Sequence, residues 1–405
     1  MQKIILKWWK VSIFLMLGAI YFWGVKNMYF HQDDLDWFMM ANRPFWQVIA
    51  APLSDHINYI FRVLLKVEWD NFHLFFPGYL AVSVLLHTGV IALLYQLVKL
   101  TTGRRDLAVY SALLFTINTN WTEVVLWSSG QTISISALFV LLALQSVWKA
   151  KNRSIWIFLS SFTSALALGM IPATLLTDGI DYKKRKLYRV GFAMILISAI
   201  VLLFYKFVAT DGTQIEYSLA WGVRVIEVMV LGVVNTVIGR LVIPFDKYET
   251  IRIILVSLLL GYGLWRYRDK IFKLLKDKWS VFLLMQLFFY YLIVAIGRSQ
   301  YGVGIMRAER YSYIGLALVL LLIARIIRNW QTRKWAWIVP CLVILQMIGL
   351  YRRAQDYIVR PQLLRGVVQE VQKSRVNVNP ESYLPYEILN DERLKYSDLI
   401  KLIDD

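Results

Sequence analysis

The sequence predicts an all-α polytopic membrane protein with about eleven transmembrane helices, and three observations point to this fold class. Hydrophobic residues make up 58% of the 405 residues, only 18% are charged, and the mean hydropathy is +0.52. A soluble core could not hide so much apolar surface. The apolar residues also gather into runs, most of them long enough to cross a hydrocarbon layer about 30 Å thick as helices. The runs lie at 11–29, 78–98, 106–119, 131–148, 155–169, 170–182, 190–209, 250–265, 280–297, 311–327 and 335–350.

The basic residues predict how these helices are oriented. Six clusters between alternate runs hold more than half of the 45 Lys and Arg residues, whereas segment 30–77 has three basic against six acidic residues. The positive-inside rule places the N-terminus and the clusters in the cytoplasm, and an odd number of spans places the C-terminus outside. The net charge of +18 is therefore attributed to orientation rather than to a nucleic-acid surface. The clusters are Lys3, Lys7 and Lys10; Lys99, Arg104 and Arg105; Lys149, Lys151 and Arg153; Lys183 to Lys186 with Arg189; Arg266 to Lys278; and Arg325 to Lys334.

The runs divide the chain into a transmembrane domain over 1–351 and an outer helical tail over 352–405. Residues 1–29 are typical of an uncleaved signal anchor in a multi-pass protein of the cell membrane. Segment 216–244 is apolar, but making it a span would reverse the sides of the later charged segments. We therefore predict an outer interfacial or re-entrant helix within 210–249.

The long first outer loop, residues 30–77, is predicted to form short helices and carries an acidic pair just past the first span. The pair is Asp33-Asp34. A carboxylate at the wet edge of the bilayer can stay ionised and accept a proton from a hydroxyl group. The alternative is that the pair caps a helix or forms a solvated turn.

All four histidines, His31, His56, His73 and His87, lie in one stretch of the chain. A zinc or manganese site from His31, Asp33 and His56 is conceivable, but the spacing matches no usual ligand pattern. We predict hydrogen-bonding roles and no bound metal. His87 lies within a span, where a polar residue usually faces the protein interior. The single cysteine, Cys341, excludes a disulfide framework and a cysteine-based metal site.

Two further outer segments gather polar residues. The segment RSQYGVGIMRAERYSY, residues 298–313, places three arginines outside, against the topological trend. Arginine binds phosphate in a bidentate manner, so an anionic ligand is one explanation, and an internal ion-pair cluster or lipid headgroup contact is the other. The hairpin NTNWTEVVLWSSGQ, residues 118–131, places Glu123 and Trp127 on one face if it is helical. It is equally typical of an ordinary interfacial turn.

These segments together resemble the GT-C superfamily of polyprenyl-phosphate-sugar-dependent glycosyltransferases, especially its protein O-mannosyltransferase-like branch. The resemblance covers about 30–180 and 298–330. It rests on the acidic pair, on SDHINYIFRVLLKVEWDNFHLFFPGYLAVSVLLHTGVIALLY, on the hairpin and on RAERYSY. The cytoplasmic segments contain no GxxxxGKS or GxGxxG loop for a nucleotide. One departure is the uncharged turn in LALGMIPATLL, where the family often has a Lys-Glu pair.

The resemblance implies a hexosyltransferase that inverts the sugar configuration on the outer face, with Asp33 or Asp34 as the general base. It needs no cofactor, although a divalent cation is compatible with it. The donor is a polyprenyl-phosphate-linked sugar, and the acceptor is a protein, a lipid or a polysaccharide. Implied phosphate-binding residues are Arg298, Arg307, Arg310 and Tyr311, and implied substrate-binding residues are His56, Asn58, His87, Glu123 and Trp127.

Three other classes of function compete with this prediction. A transporter would place ionisable residues near the bilayer midplane, often within inverted repeats, and neither feature is evident here. A non-catalytic assembly protein would bind partners through its outer tail, consistent with the uncharged turn. Another lipid-linked transferase or polymerase would use the same arginines with a different outer base, for which His56 is the nearest candidate.

Overall fold

The computed structural model confirms the all-α fold class. It describes residues 2–50, 58–149, 153–163, 169–178, 219–238, 277–298, 310–329, 338–373 and 395–404, with isolated positions in 258–268 and at 308 and 382. About 90% of these residues are helical, and they include no β-strand. The helices are α1 Gln2–Asn27, α2 Gln32–Ala41, α3 Phe45–Ala50, α4 Tyr59–Phe72, α5 Phe76–Thr102, α6 Arg105–Ile117, α7 Thr122–Val125, α8 Gln131–Lys149, α9 Arg153–Ser161, α10 Met170–Asp178, α11 Leu219–Ile238, α12 Lys278–Arg298, α13 Arg310–Ile326, α14 Ile338–Lys373 and α15 Tyr396–Asp404.

Four stretches of the described residues are long and apolar enough to cross a membrane as helices. They are Lys7–Asn27, Phe76–Thr102, Ser128–Lys149 and Lys278–Arg298. Each coincides with a predicted run, so the membrane class is supported. Run 190–209 and most of run 250–265 lie outside the described residues. The total of eleven spans and the sidedness stay predictions.

Helix α5 lies at the centre of the helical bundle. Helices α1, α6, α8 and α13 all pack against it, and α12 packs against α10, α11 and α13. Most of the side chains between these helices are apolar and excluded from solvent, as Leu94 and Val98 of α5 are. Helix α11, predicted to lie at the membrane interface, packs along α12 and α13, and its interfacial placement stays a prediction.

One end of the bundle gathers basic residues that the sequence assigns to the cytoplasm. The Arg325 guanidinium is 5% exposed, and its Nη1 donates to the Thr101 carbonyl oxygen at 2.8 Å. Its Nε donates to Asp277 Oδ2 at 3.1 Å. Arg104 Nη1 donates to the Arg328 carbonyl oxygen at 2.8 Å. The ends of α5 and α13 and the starts of α6 and α12 are therefore fastened together here.

The opposite end carries the first predicted outer loop, whose described residues form the short helices α2, α3 and α4. Helix α14 reaches this end, because Arg365 Nη1 donates to the Lys26 carbonyl oxygen at 3.4 Å. Helix α15 packs against α2 and α14 and buries Leu399 and Leu402. Helix α14 runs without a break through the predicted domain boundary at 351–352.

Candidate functional site

The second aspartate of the acidic pair lies inside the protein at the start of α2. Asp34 is 1% exposed. Its Oδ2 accepts a hydrogen bond from the His31 N–H at 2.9 Å, which caps the helix in the manner of a capping box. Its Oδ1 accepts from the Ser129 N–H at 2.9 Å. Burial raises the pKa of Asp34 to about 7, although these N–H donors oppose the shift. The helix-capping alternative therefore describes Asp34 well.

The first aspartate has a different environment. Asp33 is exposed to solvent at the surface of α2. Desolvation by the surrounding protein raises the pKa of Asp33, and the positive charge of Arg310 lowers it. Asp33 is thus the accessible carboxylate of the pair, and it lies within electrostatic reach of an arginine at the start of α13.

Arg310 fastens the start of α13 to the hairpin. Its N–H donates to Glu123 Oε2 at 3.3 Å, and its Nη1 lies 4.0 Å from the same oxygen. Its guanidinium carbon lies 4.8 Å from the centre of the Trp127 ring and 5.3 Å from that of Tyr311. Cation–π contacts of this kind orient a guanidinium group without neutralising it.

The hairpin itself is tightly packed. Asn118 Oδ1 accepts from the Asn120 N–H at 2.9 Å, which shapes the first turn. The second turn, a 3₁₀ turn over Ser128–Gly130, lies directly on the first helix of the hairpin. A Cβ atom at Gly130 would lie 2.3 Å from the Glu123 carbonyl oxygen. The close approach requires glycine, and it fixes Glu123 relative to the Ser129 N–H that binds Asp34.

We call the group formed by Asp33, Glu123, Trp127, Arg298 and Arg310 the Asp33–Arg310 cluster. Arg298 ends α12, and its guanidinium carbon lies 6.0 Å from the centre of the Tyr311 ring, which Arg310 also contacts. The His31 ring lies 5.7 Å from that of Trp127. These five predicted site residues, together with Asp34 and Tyr311, are thus brought to one end of the bundle from segments that are distant in sequence.

Two other predicted site residues have structural contacts. Asn58 is buried, and its Oδ1 accepts from Arg62 Nε at 3.2 Å at the start of α4. His87 is fully buried in α5, where its Nδ1 lies 2.7 Å from the Tyr313 hydroxyl oxygen and its ring stacks on Phe115. Tyr313 follows Arg310 by three residues, so His87 supports the layer beneath the cluster. His56 and Arg307 lie outside the described residues.

The uncharged turn in LALGMIPATLL packs into the bundle. A Cβ atom at Gly169 would lie 3.0 Å from the backbone nitrogen of Tyr290 in α12, and Met170 is fully buried. A Lys-Glu pair at this position would be placed against another helix without solvent, which is costly. The absence of charge here therefore has a packing reason.

Sequence reasoning missed Glu68 and Gln131. Glu68 is 2% exposed, and its Oε1 accepts a hydrogen bond from Gln131 Nε2 at 2.8 Å. Burial, with repulsion from Asp34, raises the pKa of Glu68 to about 8, while the Gln131 bond opposes the shift. The signal that identifies it is its place on α4, three and seven residues after the buried Leu65 and Phe61 on one helix face.

Within the ranges that the structure describes, no three His, Cys, Asp or Glu side chains are grouped so as to hold a metal ion. Comparisons with protein-family models, curated proteins and solved structures find no match. The chemistry of the site is therefore inferred from its own residues.

Proposed function

We propose that this protein is a membrane glycosyltransferase that moves a sugar from a polyprenyl-phosphate donor to an acceptor hydroxyl group, with Asp33 as the general base. The observation that supports this best is that the accessible Asp33 carboxylate lies near Arg310 in the Asp33–Arg310 cluster. This cluster lies at the end of the bundle opposite the basic residues that the sequence assigns to the cytoplasm. The positive-inside rule makes that end the outer face.

Asp33 is the better candidate for the base because the carboxylate of Asp34 is buried and already accepts hydrogen bonds. Both Asp34 oxygens accept backbone N–H bonds, and no face of its carboxylate is open to solvent. Asp33 is exposed and can reach a hydroxyl group. Its carboxylate takes the proton as the acceptor oxygen bonds to the anomeric carbon.

The donor phosphate is assigned to the arginines. As the bond between the anomeric carbon and the phosphate oxygen breaks, the polyprenyl phosphate gains negative charge. Arg310 and Arg298, which flank Tyr311, supply fixed positive charge for it, and fixed cations in a partly dry site stabilise such a transition state by several kcal/mol. Arg307 keeps its predicted role in phosphate binding.

The remaining cluster residues suit a sugar. Glu123 offers a carboxylate and Trp127 an aromatic face, and the Trp127 Nε1 has no hydrogen-bond partner among the described residues. Such a combination can hydrogen-bond sugar hydroxyl groups and pack against a pyranose ring. The direct displacement inverts the configuration at the anomeric carbon. The acceptor is a protein, a lipid or a polysaccharide.

The test uses the purified full-length chain and a panel of radiolabelled polyprenyl-phosphate sugars. Donor turnover is followed as release of free sugar and as transfer to a cell extract. We expect Asp33→Asn to lose turnover by about a hundredfold or more because it removes the proton acceptor. Asp70→Asn is the matched control, since Asp70 is an exposed partner of Lys66 on α4.

Two results would contradict the proposal. One is that the wild type neither binds nor turns over any donor, which would favour a transporter or an assembly protein. Solute flux across sealed vesicles then separates those two. The other is that Asp33→Asn turns over the donor as fast as Asp70→Asn does.

A further inference from the structure

A buried carboxyl group that the transfer reaction does not use lies behind Asp34. It belongs to Glu68, on the side of α4 that packs against α2, α5 and α8. A carboxyl group so far from solvent on the apolar face of a helix is costly to retain, and its burial calls for a reason.

Glu68 is joined to the hairpin through Gln131. The Gln131 side chain is fully buried, and its Nε2 lies 2.8 Å from Glu68 Oε1, 3.1 Å from the Tyr79 carbonyl oxygen and 3.1 Å from Ser83 Oγ. Gln131 directly follows the Ser128–Gly130 turn, whose Ser129 N–H binds Asp34. One short path therefore connects Glu68, the turn and the acidic pair.

The charges around Glu68 disfavour its ionised form. Helix α2 brings only aspartates, α3 has no charged residue, α5 brings the Tyr79 hydroxyl, and the end of α8 that faces α4 brings neutral Gln131. The cations of α4 are engaged with other groups, Arg62 with Asn58 and the Ile49 carbonyl oxygen, and Lys66 with Asp70.

The hydrogen bonding also fits a neutral acid. Glu68 Oε2 and Gln131 Oε1 are buried and have no hydrogen-bond partner among the described residues. In a buried site, a negative charge on an oxygen that accepts no hydrogen bond is more costly than a neutral hydroxyl group at the same place. The pKa of Glu68, raised to about 8 by burial and by Asp34, agrees with a proton held at neutral pH.

We propose that Glu68 is a positioning residue that holds a proton and, through Gln131, keeps the Ser128–Gly130 turn against Asp34. Loss of that proton places a second negative charge behind Asp34. Repulsion between the two carboxylates then separates Asp34 from the turn, which stays bonded to Glu68 through Gln131, and Asp33 moves away from Glu123 and Trp127 together with Asp34. The effect on turnover rests on the proposed glycosyl transfer, whereas the proton and the position of the turn do not.

The first test is infrared spectroscopy of the full-length protein in detergent. We expect the wild type at neutral pH to show a carbonyl component from protonated Glu68 that Glu68→Gln lacks, beside the component from Asp34 that both proteins share, and to lose the Glu68 component with a midpoint near pH 8. Asp70→Asn, at an exposed carboxylate, should leave the band unchanged. Wild-type and Glu68→Gln spectra without such a difference at neutral pH would overturn the proposal.

The second test measures hydrogen exchange of the peptide that contains Ser129. Glu68→Gln retains a neutral group with a donor and an acceptor, so its exchange at neutral pH should equal that of the wild type. Glu68→Ala should exchange about tenfold faster, corresponding to one lost hydrogen bond. In the wild type, protection should fall above the midpoint, whereas Glu68→Gln should keep it. Equal protection in Glu68→Ala and the wild type would refute the positioning role.

Donor turnover supplies the third readout. Glu68→Gln should retain wild-type turnover at neutral pH and keep it in alkaline solution, where the wild type loses it. The same alkaline loss in Glu68→Gln would count against the proposal. A wild type without donor turnover would count against glycosyl transfer alone, because the infrared band and the exchange rates decide the role of Glu68 without it.

Discussion

Asp34 on α2 accepts a hydrogen bond from the backbone N–H of Ser129, 95 residues further along the chain, at 2.9 Å. The same carboxylate accepts the His31 N–H at the start of its own helix. One side chain thereby caps a helix and attaches a distant turn to it. Asp34 is thus engaged in structural hydrogen bonds, whereas Asp33 remains exposed to solvent.

The different environments of the two aspartates predict that their substitution affects stability to different extents. Asp34→Ala leaves two partly buried N–H groups without acceptors and should lower the free energy of unfolding by about 2–4 kcal/mol. Asp33→Ala should change it by less than about 0.5 kcal/mol, because the side chain is exposed. Thermal unfolding in detergent measures both. A larger loss for Asp33→Ala than for Asp34→Ala would show that the assignment is reversed.

The turn at Gly130 gives a second prediction. Gly130→Ala places a Cβ atom 2.3 Å from the Glu123 carbonyl oxygen and 2.9 Å from Val124 Cα, and both are backbone atoms that cannot rotate away. We expect a destabilisation of about 1–3 kcal/mol and lower donor turnover. Gly18→Ala on α1 is the control, since nothing lies within 4 Å of its Cβ position. That change should be neutral or slightly stabilising, so equal losses in both variants would argue against the close packing.

The contacts of Arg310 predict that donor turnover depends on the planar shape of its guanidinium group as well as on its charge. Arg310→Lys keeps the positive charge but loses the planar contact with Trp127 and the bidentate phosphate geometry. We expect kcat/KM for the donor to fall about tenfold to a hundredfold for Lys, and about a hundredfold to a thousandfold for Ala. Single-turnover kinetics with a radiolabelled donor make the comparison. Wild-type kcat/KM in Arg310→Ala would exclude a role in leaving-group stabilisation.

The buried acids predict that stability falls as the pH rises. The pKa values of Glu68 and Asp34 are raised in the folded protein, to about 8 and about 7, from their usual 4.5 and 3.8. The folded state then binds more protons than the unfolded state between these values, so unfolding becomes easier with increasing pH up to about 8. The unfolding midpoint of the wild type should drop between about pH 5 and pH 8, and Glu68→Gln should show a shallower drop. An equally steep drop in Glu68→Gln would contradict the raised pKa of Glu68.

Local patterns were sufficient to predict the helical class, several helices and the residues that meet in the Asp33–Arg310 cluster. Glu123, Trp127 and Arg310 stand out in sequence because polar residues are gathered at the ends of apolar runs. Their mutual contact could not be derived, because it depends on how α5, α8 and α13 pack. In the sequence, Glu68 is one of six acidic residues in segment 30–77, and nothing there shows that it lies on the buried face of α4.

The different environments of Asp33 and Asp34 could also not be predicted from the sequence. Both residues follow the first span and have the same side chain, so propensity and hydropathy treat them alike. What separates them is an N–H donor from Ser129, and that donor is brought to α2 by tertiary packing.

The contacts that build the site join segments far apart in the chain: Arg310 pairs with Glu123 from a distance of 187 residues, and Gln131 with Glu68 from 63. Helices in a membrane can each form before they associate, because their backbone hydrogen bonds are internal. A chain with every helix formed and none correctly packed would have full helical content and no site. Circular dichroism therefore cannot report whether the helices of this protein have packed to bring the site residues together, whereas protection of the Ser129 amide can.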